Sequence, residues 1–101
     1  MSIYKICPRS LWKEKKKAGV FVGSAHDRAD GFIHFSTAEQ VVGTAQKYFL
    51  NQSDLVLLEV DEQQLGPALK YEPSRGGELF PHLYASLPLA AVISVTAFDA
   101  A

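Results

Sequence analysis

The sequence predicts an α+β fold, with a single domain over residues 1–101, a curved mixed or antiparallel sheet and two main helices. Hydrophobic residues make up 48% of the chain and charged residues 21%, which is typical of a globular domain with a core. Short apolar runs predict strands, and two segments show the spacing of helices. The predicted order is β-α-β-β-α-β followed by short strands, which is typical of an α+β domain.

The first third of the chain is predicted to hold three short strands and one helix. The strands are predicted over residues 3–7, 20–22 and 31–35. Ser10 is predicted to cap a helix over residues 11–18, which Gly19 ends. The polar segment GSAHDRAD predicts a loop. Its charged or titratable side chains are expected to be solvated there, although such a loop could also close over a ligand. They are His26, Asp27, Arg28 and Asp30.

The helix after the third strand is the element that the sequence defines best. Apolar residues recur at helical spacing over residues 38–49. Ser36 or Thr37 is predicted to be the N-cap, with Glu39 or Gln40 as the capping-box partner three residues later.

The second half of the chain is predicted to be mostly strand. The continuous apolar run LVLLEV predicts a central strand, because a strand covered on both faces loses the alternation of polar and apolar residues. LFPHLY is predicted to be extended, since a proline disfavours the helical conformation in the residue before it. PSRGGE predicts a loop, and residues 89–98 predict the final strand.

Charge and cysteine content limit the classes of function. The formal net charge is −1, so bulk electrostatics indicates no nucleic-acid partner. Cys7 is the single cysteine, which excludes an intramolecular disulfide and a thiolate zinc site. The N-terminus lacks the apolar run of a secretion signal, and the run LPLAAVISVTAF is too short to span a bilayer. We therefore expect a cytoplasmic protein without a membrane partner.

The segment GFIHFST contains the first candidate site. Strand alternation places Phe32, His34 and Ser36 on one face. Ser36 would lie at a helix N-terminus, where free N–H groups favour an anion or a ribose hydroxyl. A histidine there could bind substrate or act as an acid or base near neutral pH. The alternative interpretation is a helix cap beside a half-buried structural histidine.

Two further candidates lie in the second half of the chain. Alternation in LFPHLY places Phe80, His82 and Tyr84 on one face, which suits a planar ligand ring but is also compatible with core packing. Glu72 and Arg75 could supply an acid or base and a phosphate contact, or could be surface charges beside a turn. No histidine pair has metal-ligand spacing, so no metal site is predicted.

Several segments together resemble a small bacterial family of domains of unknown function, the family numbered nine-five-two. The resemblance covers nearly the whole chain and is carried by the blocks GFIH-x-ST-x-x-Q and FPHLY, by LVLLEVD and by LWKEKKKAGVFVGS. That family looks related in fold to the ADP-ribosyltransferases and the RNA 2′-phosphotransferases. The resemblance therefore implies a split sheet whose cleft binds a small-molecule or nucleotide ligand, with NAD as a cofactor or substrate.

The resemblance also implies roles for individual residues. His34 would hydrogen-bond a ribose, and Ser36 or Thr37 would orient the nicotinamide or the phosphate. Glu72 or His82 would stand where the late catalytic residue lies. Contacts to the ligand are expected from the remaining polar and aromatic positions of these blocks, which are Gln40, Arg75, Phe80 and Tyr84.

The expected reaction is group transfer to, or hydrolysis of, an ADP-ribose or phosphoribosyl substrate. Two alternatives stay open. One is a module that binds a nucleotide or small ligand without catalysis. The other is a two-histidine phosphoesterase, because His34-Phe35-Ser36 is similar to the His-x-Ser strands of those enzymes, although His82-Leu83-Tyr84 has a tyrosine at the hydroxyl position.

Overall fold

The computed structural model describes residues 1–99, apart from the side chain of Arg75, and it confirms the predicted α+β class. The strands are β1 (Ser2–Pro8), β2 (Val20–Phe21), β3 (Ile33–His34), β4 (Leu55–Asp61), β5 (Leu69–Pro73), β6 (Leu79–Leu83), β7 (Leu87–Pro88) and β8 (Val92–Phe98). The helices are α1 (Arg9–Ala18), α2 (Ala25–Asp30) and α3 (Val41–Tyr48). Within this described part of the chain, each helix is too short to cross a membrane.

The first sheet has β4 between β1 and β8, with both pairings antiparallel. Val56, Leu58 and Val60 of β4 have no exposed surface. The run LVLLEV therefore forms a central strand, as its continuous apolar sequence predicts.

The second sheet has β6 between β3 and β5, and β2 pairs with β7 separately. The register of β3 and β6 places His34 directly opposite His82. An isolated bridge joins the segment after β3 to β1. The N–H of Tyr4 donates to the carbonyl of Ser36, and the N–H of Ser36 donates to the carbonyl of Tyr4, both at 2.8 Å. This bridge holds the two three-stranded sheets together. The prediction left open a mixed or an antiparallel sheet. The strand pairs of the described residues are all antiparallel.

The hydrophobic core is built from both sheets and α1. Phe21 of β2, Leu58 of β4 and Leu83 of β6 come from three separate sheets, and all three are fully buried. Trp12 of α1 packs on Phe21, with ring centroids 6.2 Å apart. Burying side chains of this size stabilises a fold by roughly 1.5–3 kcal/mol each. This core fixes the relative position of the strands that carry the polar residues described below.

The loop prediction for GSAHDRAD is wrong, because residues 25–30 form helix α2. Ser24 is its N-cap, and the Ser24 hydroxyl accepts a hydrogen bond from the N–H of Asp27. In return the Asp27 carboxylate accepts from the N–H of Ser24, which completes a capping box. Gly31 ends the helix at φ 85°, a conformation that glycine adopts without steric cost. The helix is short and polar, so it lacks the apolar periodicity that would have indicated it.

The predicted N-caps of the other two helices are wrong, whereas Gly19 ends α1 as predicted. Helix α1 begins at Arg9 with Pro8 as its N-cap, so Ser10 lies inside the first turn. Helix α3 begins at Val41 and has Gln40 at its N-cap position without a side-chain cap. Ser36 is not available as a cap, because its backbone pairs with β1 and its hydroxyl hydrogen-bonds that of Thr44 at 2.9 Å.

Candidate functional site

A cavity of about 610 Å³ opens between β1, α2, β3, α3 and β6. It is of the size that small-molecule ligands occupy in proteins. Its walls combine aromatic rings with polar and titratable side chains. The residues used below that line it are Lys5, His26, Asp27, Asp30, Phe32, His34, Ser36, Phe80 and His82.

Asp27 is a buried carboxylate that organises one wall of this cavity. It is 1% exposed and forms an ion pair with Lys5, whose Nζ lies 3.0 Å from Oδ2. Oδ1 accepts from the N–H of His34 at 3.1 Å and lies 2.5 Å from Nδ1 of the same residue. Burial alone would raise the pKa of Asp27. The hydrogen bond from His34, the charge of Lys5 and the N–H of Ser24 outweigh burial and hold that pKa well below its usual range.

His34 has a carboxylate at each ring nitrogen. Nδ1 faces Asp27, and Nε2 lies 2.9 Å from Oδ2 of Asp30. An imidazole donates from both nitrogens only when it carries a proton on each. A neutral ring can therefore donate a hydrogen bond to only one of these two carboxylates.

His82 forms a second histidine–carboxylate pair, on the strand opposite His34. It is 5% exposed, and its Nδ1 lies 2.8 Å from Oε1 of Glu72 on β5. The Tyr84 hydroxyl donates to the same Oε1 at 2.6 Å. The hydrogen bonds from Tyr84 and His82 lower the pKa of Glu72, and the bond to Glu72 raises the pKa of Tyr84. Glu72 is thus held as a carboxylate against the histidine ring.

The two histidine–carboxylate pairs face each other across the β3–β6 pairing. The ring centroids of His34 and His82 lie 5.6 Å apart, with the rings nearly perpendicular. The ring of Phe32 contacts both imidazoles, and its centroid lies 4.5 Å from the ring centroid of His34 and 4.1 Å from that of His82. The structure thus brings together the two histidines of the candidate segments GFIHFST and LFPHLY.

Only some of the other predicted site residues line the main cavity. Ser36 and Phe80 line the cavity, and Phe80 is 6% exposed. Tyr84 lines a smaller neighbouring cavity of about 290 Å³. Glu72 reaches the main cavity through the ring of His82, and the side chain of Arg75 lies outside the described part of the structure.

Thr37 and Gln40 form a structural connection outside the lining of the main cavity. The Gln40 Oε1 accepts from the N–H of Thr37 at 3.0 Å. The Gln40 Nε2 donates to the carbonyl of Leu79 at 2.8 Å and to Oε1 of Glu78 at 3.1 Å. The Gln40 amide therefore ties the start of α3 to β6, which carries His82.

Lys5 and Asp27 are the site residues that the sequence prediction missed. Ile3, Lys5 and Cys7 alternate on β1 and are all buried, so Lys5 lies in a row of core residues. A lysine at such a position is rarely buried unless it is paired, and this was the available signal. Ser24 and Asp27 have the spacing of a capping box, which was the signal for α2.

Cys7 also lines the cavity, but its surroundings disfavour a nucleophilic role. It is 1% exposed, and burial raises the pKa of its thiol to about 11. Since the thiolate is the reactive form, this thiol is held in its unreactive state near neutral pH.

The comparison with known families decides where the chain belongs. The family described as Protein of unknown function (DUF952) matches residues 6–95. The chain belongs to the DUF952 family. This match confirms the resemblance carried by the GFIH-x-ST-x-x-Q and FPHLY blocks. None of the curated proteins matches this DUF952 chain.

Two solved structures of one bacterial protein resemble this DUF952 domain closely. The crystal structure of protein CC0527 from Caulobacter crescentus is 49% identical, with a TM-score of 0.95, and the match covers 98% of this chain and 87% of that one. Its solution NMR structure is 50% identical with a TM-score of 0.86, and that match covers 97% and 84%. The arrangement of the two sheets is therefore similar to that of an experimentally determined relative.

Proposed function

We propose that this DUF952 domain binds a nucleotide of the ADP-ribose or phosphoribosyl class in the main cavity and catalyses group transfer or hydrolysis on it. The observation that carries the proposal is the pair of opposed histidines, each held by a buried or hydrogen-bonded carboxylate. Such carboxylate–histidine pairs fix the tautomer and orientation of the ring, as acid–base catalysis requires.

His82 is the proposed acid or base. Glu72 can accept from Nδ1–H, and in the neutral ring Nε2 then carries the lone pair. Leaving the undescribed Arg75 side chain aside, no residue within 1–99 hydrogen-bonds this Nε2, and the ring lines the cavity. In this proposal Nε2 takes a proton from a water molecule or hydroxyl group that attacks the substrate. Glu72 is a positioning residue in this scheme, and Tyr84 holds Glu72.

The cavity walls suit a ligand that has a planar ring and hydroxyl groups. Phe32 and Phe80 offer ring surfaces beside the histidines, and aromatic surfaces of this kind stack on bases or on nicotinamide. Ser36 offers a hydroxyl group at the cavity wall, where we propose a contact to a ribose or phosphate. NAD is the proposed ligand or cofactor of this class, and Thr37, Gln40 and Arg75 are kept as proposed contacts at its rim.

The distance between the two histidines favours one further candidate, a two-histidine phosphoesterase. In such a reaction one histidine removes a proton from the attacking oxygen while the other donates a proton to the leaving oxygen. Ring centroids 5.6 Å apart on paired strands bring both imidazoles near one position, although Nε2 of His34 would have to leave Asp30 to reach a phosphate. This candidate predicts a cyclic phosphate ester as substrate rather than a dinucleotide.

Ligand-induced thermal stabilisation tests the proposal. The intact protein is heated with NAD, ADP-ribose, mononucleotides and 2′,3′-cyclic nucleotides in parallel. A ligand at a hundred times its dissociation constant should stabilise the fold by about 2.7 kcal/mol. Each ligand that stabilises the protein is then assayed for turnover. Stabilisation with turnover supports an enzyme, whereas stabilisation without turnover supports the binding module.

Substitutions at His82 and Glu72 then assign the chemistry. His82→Gln should reduce turnover roughly 100- to 10,000-fold, the usual contribution of a general acid or base. Glu72→Gln should shift the pH–rate profile while the ligand still stabilises the fold. Tyr71→Phe is the matched control, because Tyr71 neighbours Glu72 but hydrogen-bonds Glu62. The proposal is refuted if no nucleotide stabilises the protein, or if His82→Gln leaves turnover unchanged.

A further inference from the structure

Three side chains converge at the edge of the main cavity: His26 and Asp30 from α2, and His34 from β3. One ligand atom from each lies within 4.8 Å of the other two. Oδ2 of Asp30 lies 2.9 Å from Nε2 of His34 and 3.6 Å from Nε2 of His26. The two imidazole rings stack, with centroids 4.7 Å apart and planes 20° apart. In both rings the nitrogen nearest the Asp30 carboxylate is Nε2.

These separations match the edges of a metal coordination sphere. Two ligand atoms that each lie about 2.1 Å from a metal ion are about 3.0 Å apart at 90° and about 3.4 Å apart at a tetrahedral angle. The two contacts of Asp30 lie close to these values. The side chain of His26 is 66% exposed, so it can rotate to close the remaining distance.

The buried Asp27 supplies a second, independent observation. It lies against Nδ1 of His34, so in a neutral ring that donates to Asp27 the lone pair is on Nε2, which faces Asp30. Histidines that bind metals usually donate their other N–H to a carboxylate or carbonyl in this way, which fixes the ring and makes it more basic. Asp27 is itself held by Lys5 and by the capping box of α2, so the orientation of His34 is built into the fold.

We propose that His26, Asp30 and His34 bind a divalent transition-metal ion, with Zn²⁺ as the reference ion. Two imidazole nitrogens and one carboxylate oxygen form a donor set that suits zinc, iron, cobalt or manganese. Three protein ligands leave at least one position of the ion open, which is typical of sites that bind water or substrate. The ion would lie between Nε2 of His34 and the Asp30 carboxylate, whose Oδ2 is 2.9 Å from that nitrogen.

The spacing of the three residues explains why the sequence did not indicate the site. His26 and Asp30 are four residues apart, which places them on one face of a helix. The segment was predicted to be a loop, and a loop gives no reason for two residues at this spacing to converge. His34 joins them only because β3 runs back past α2 after the turn at Gly31.

The metal site stands independently of the proposed nucleotide. Its three ligand atoms lie within 4.8 Å of one another and belong to residues other than His82 and Glu72. In the presence of the ion, contact between the substrate and Nε2 of His34 would pass through the metal. The role proposed for His82 and Glu72 is unaffected.

Metal titration of the chelator-treated protein tests this inference. Co²⁺ should produce a saturable visible d–d spectrum with one ion per chain, and calorimetry with Zn²⁺ should give the same stoichiometry. His26→Ala and Asp30→Asn should abolish the spectrum, and Zn²⁺ should raise the unfolding temperature of the wild-type protein but not theirs.

The controls separate loss of the ligands from loss of the fold. His26 and Asp30 are exposed, so both variants should unfold at the wild-type temperature without metal. His26→Gln provides a second, larger replacement if His26→Ala is unstable, and Glu39→Gln removes an exposed carboxylate elsewhere. The inference fails if the wild-type protein shows no saturable binding at millimolar metal, or if the His26 variants bind as tightly as wild type.

Discussion

Removing the Asp27 carboxylate should destabilise the fold severely, because Asp27 neutralises a buried cation. The side chains of Lys5 and Asp27 are 8% and 1% exposed. Asp27→Ala leaves the Lys5 ammonium with the carbonyl of His34 as its described partner, at 2.9 Å. Breaking a buried ion pair by removing one partner costs about 3–5 kcal/mol. A domain of this kind has only about 5–15 kcal/mol of stability in total. We therefore expect a loss of about 4 kcal/mol.

Urea unfolding measures this loss through the fluorescence of Trp12, the one tryptophan of the chain, which packs in the core. With a denaturant dependence of about 2 kcal/mol per molar urea, 4 kcal/mol corresponds to a midpoint about 2 M lower. Lys5→Met should cost less, because Asp27 keeps three N–H donors, from the backbone of Ser24 and of His34 and from the His34 ring.

A double-mutant cycle isolates the interaction between the two residues. Lys5→Met combined with Asp27→Ala should be less destabilising than the sum of the single variants by about 1–3 kcal/mol, since neither residue then leaves an unpaired charge. A loss below 1 kcal/mol for Asp27→Ala, or strictly additive single variants, would refute the reasoning that this pair is a buried electrostatic centre.

Three further predictions follow from the same residues and their neighbours. Gly23→Ala should destabilise the fold more than Gly19→Ala. Both glycines have a positive φ, which costs roughly 1–3 kcal/mol for alanine, but only at Gly23 would the added Cβ overlap a neighbour, the Cβ of Asp27 at 2.7 Å. Equal losses of stability in urea unfolding would contradict this. Ser24→Ala should cost about 1 kcal/mol through the lost cap of α2, and an unchanged midpoint would exclude that role. Burial raises the pKa of the Cys7 thiol to about 11, so folding favours the protonated thiol, and the resulting stability is complete below about pH 9 and is lost as the pH rises toward 11. Relative to Cys7→Ala, the wild-type protein should therefore lose about 2 kcal/mol of unfolding free energy between pH 8 and pH 11. Parallel pH profiles of the two proteins would show that burial does not perturb this thiol.

The parts of the fold that the sequence predicted are those in which local pattern and burial agree. LVLLEV has the continuous apolar character of a strand covered on both faces, and it is the central strand of its sheet. Alternation predicted that Phe32, His34 and Ser36 share one face of the strand, and all three line the main cavity. In these segments each residue's propensity and its final environment favour the same structure.

The errors arose where a local signal has two physical interpretations. Ser36 followed by residues 37–40 has the pattern of a capping box, but pairing with Tyr4 uses the backbone of Ser36 in an extended segment. The polar segment of α2 lacks an apolar stripe, because Asp27 is buried by charge pairing rather than by hydrophobic contact. Long-range pairing, such as Lys5 with Asp27 or the register of His34 with His82, leaves no local pattern in one sequence. The cytoplasmic location, the NAD ligand and the fold relation to ADP-ribosyltransferases stay predictions.

The charge of the cavity connects the two proposals. Among the cavity residues that the structure describes, Lys5 is the one lysine or arginine, and Asp27 already neutralises it. Asp30 adds a further negative charge beside His34, so the phosphates of a nucleotide would meet repulsion there.

A divalent ion held by His26, Asp30 and His34 would reverse this local charge and give phosphate oxygens a ligand position. Nucleotide affinity should therefore increase with Zn²⁺ in the wild-type protein and be insensitive to Zn²⁺ in His26→Ala. Thermal shift measured with each nucleotide, with and without the ion, distinguishes the cases. Equal nucleotide affinity in all four conditions would separate the metal site from the nucleotide, and would place the phosphate away from α2.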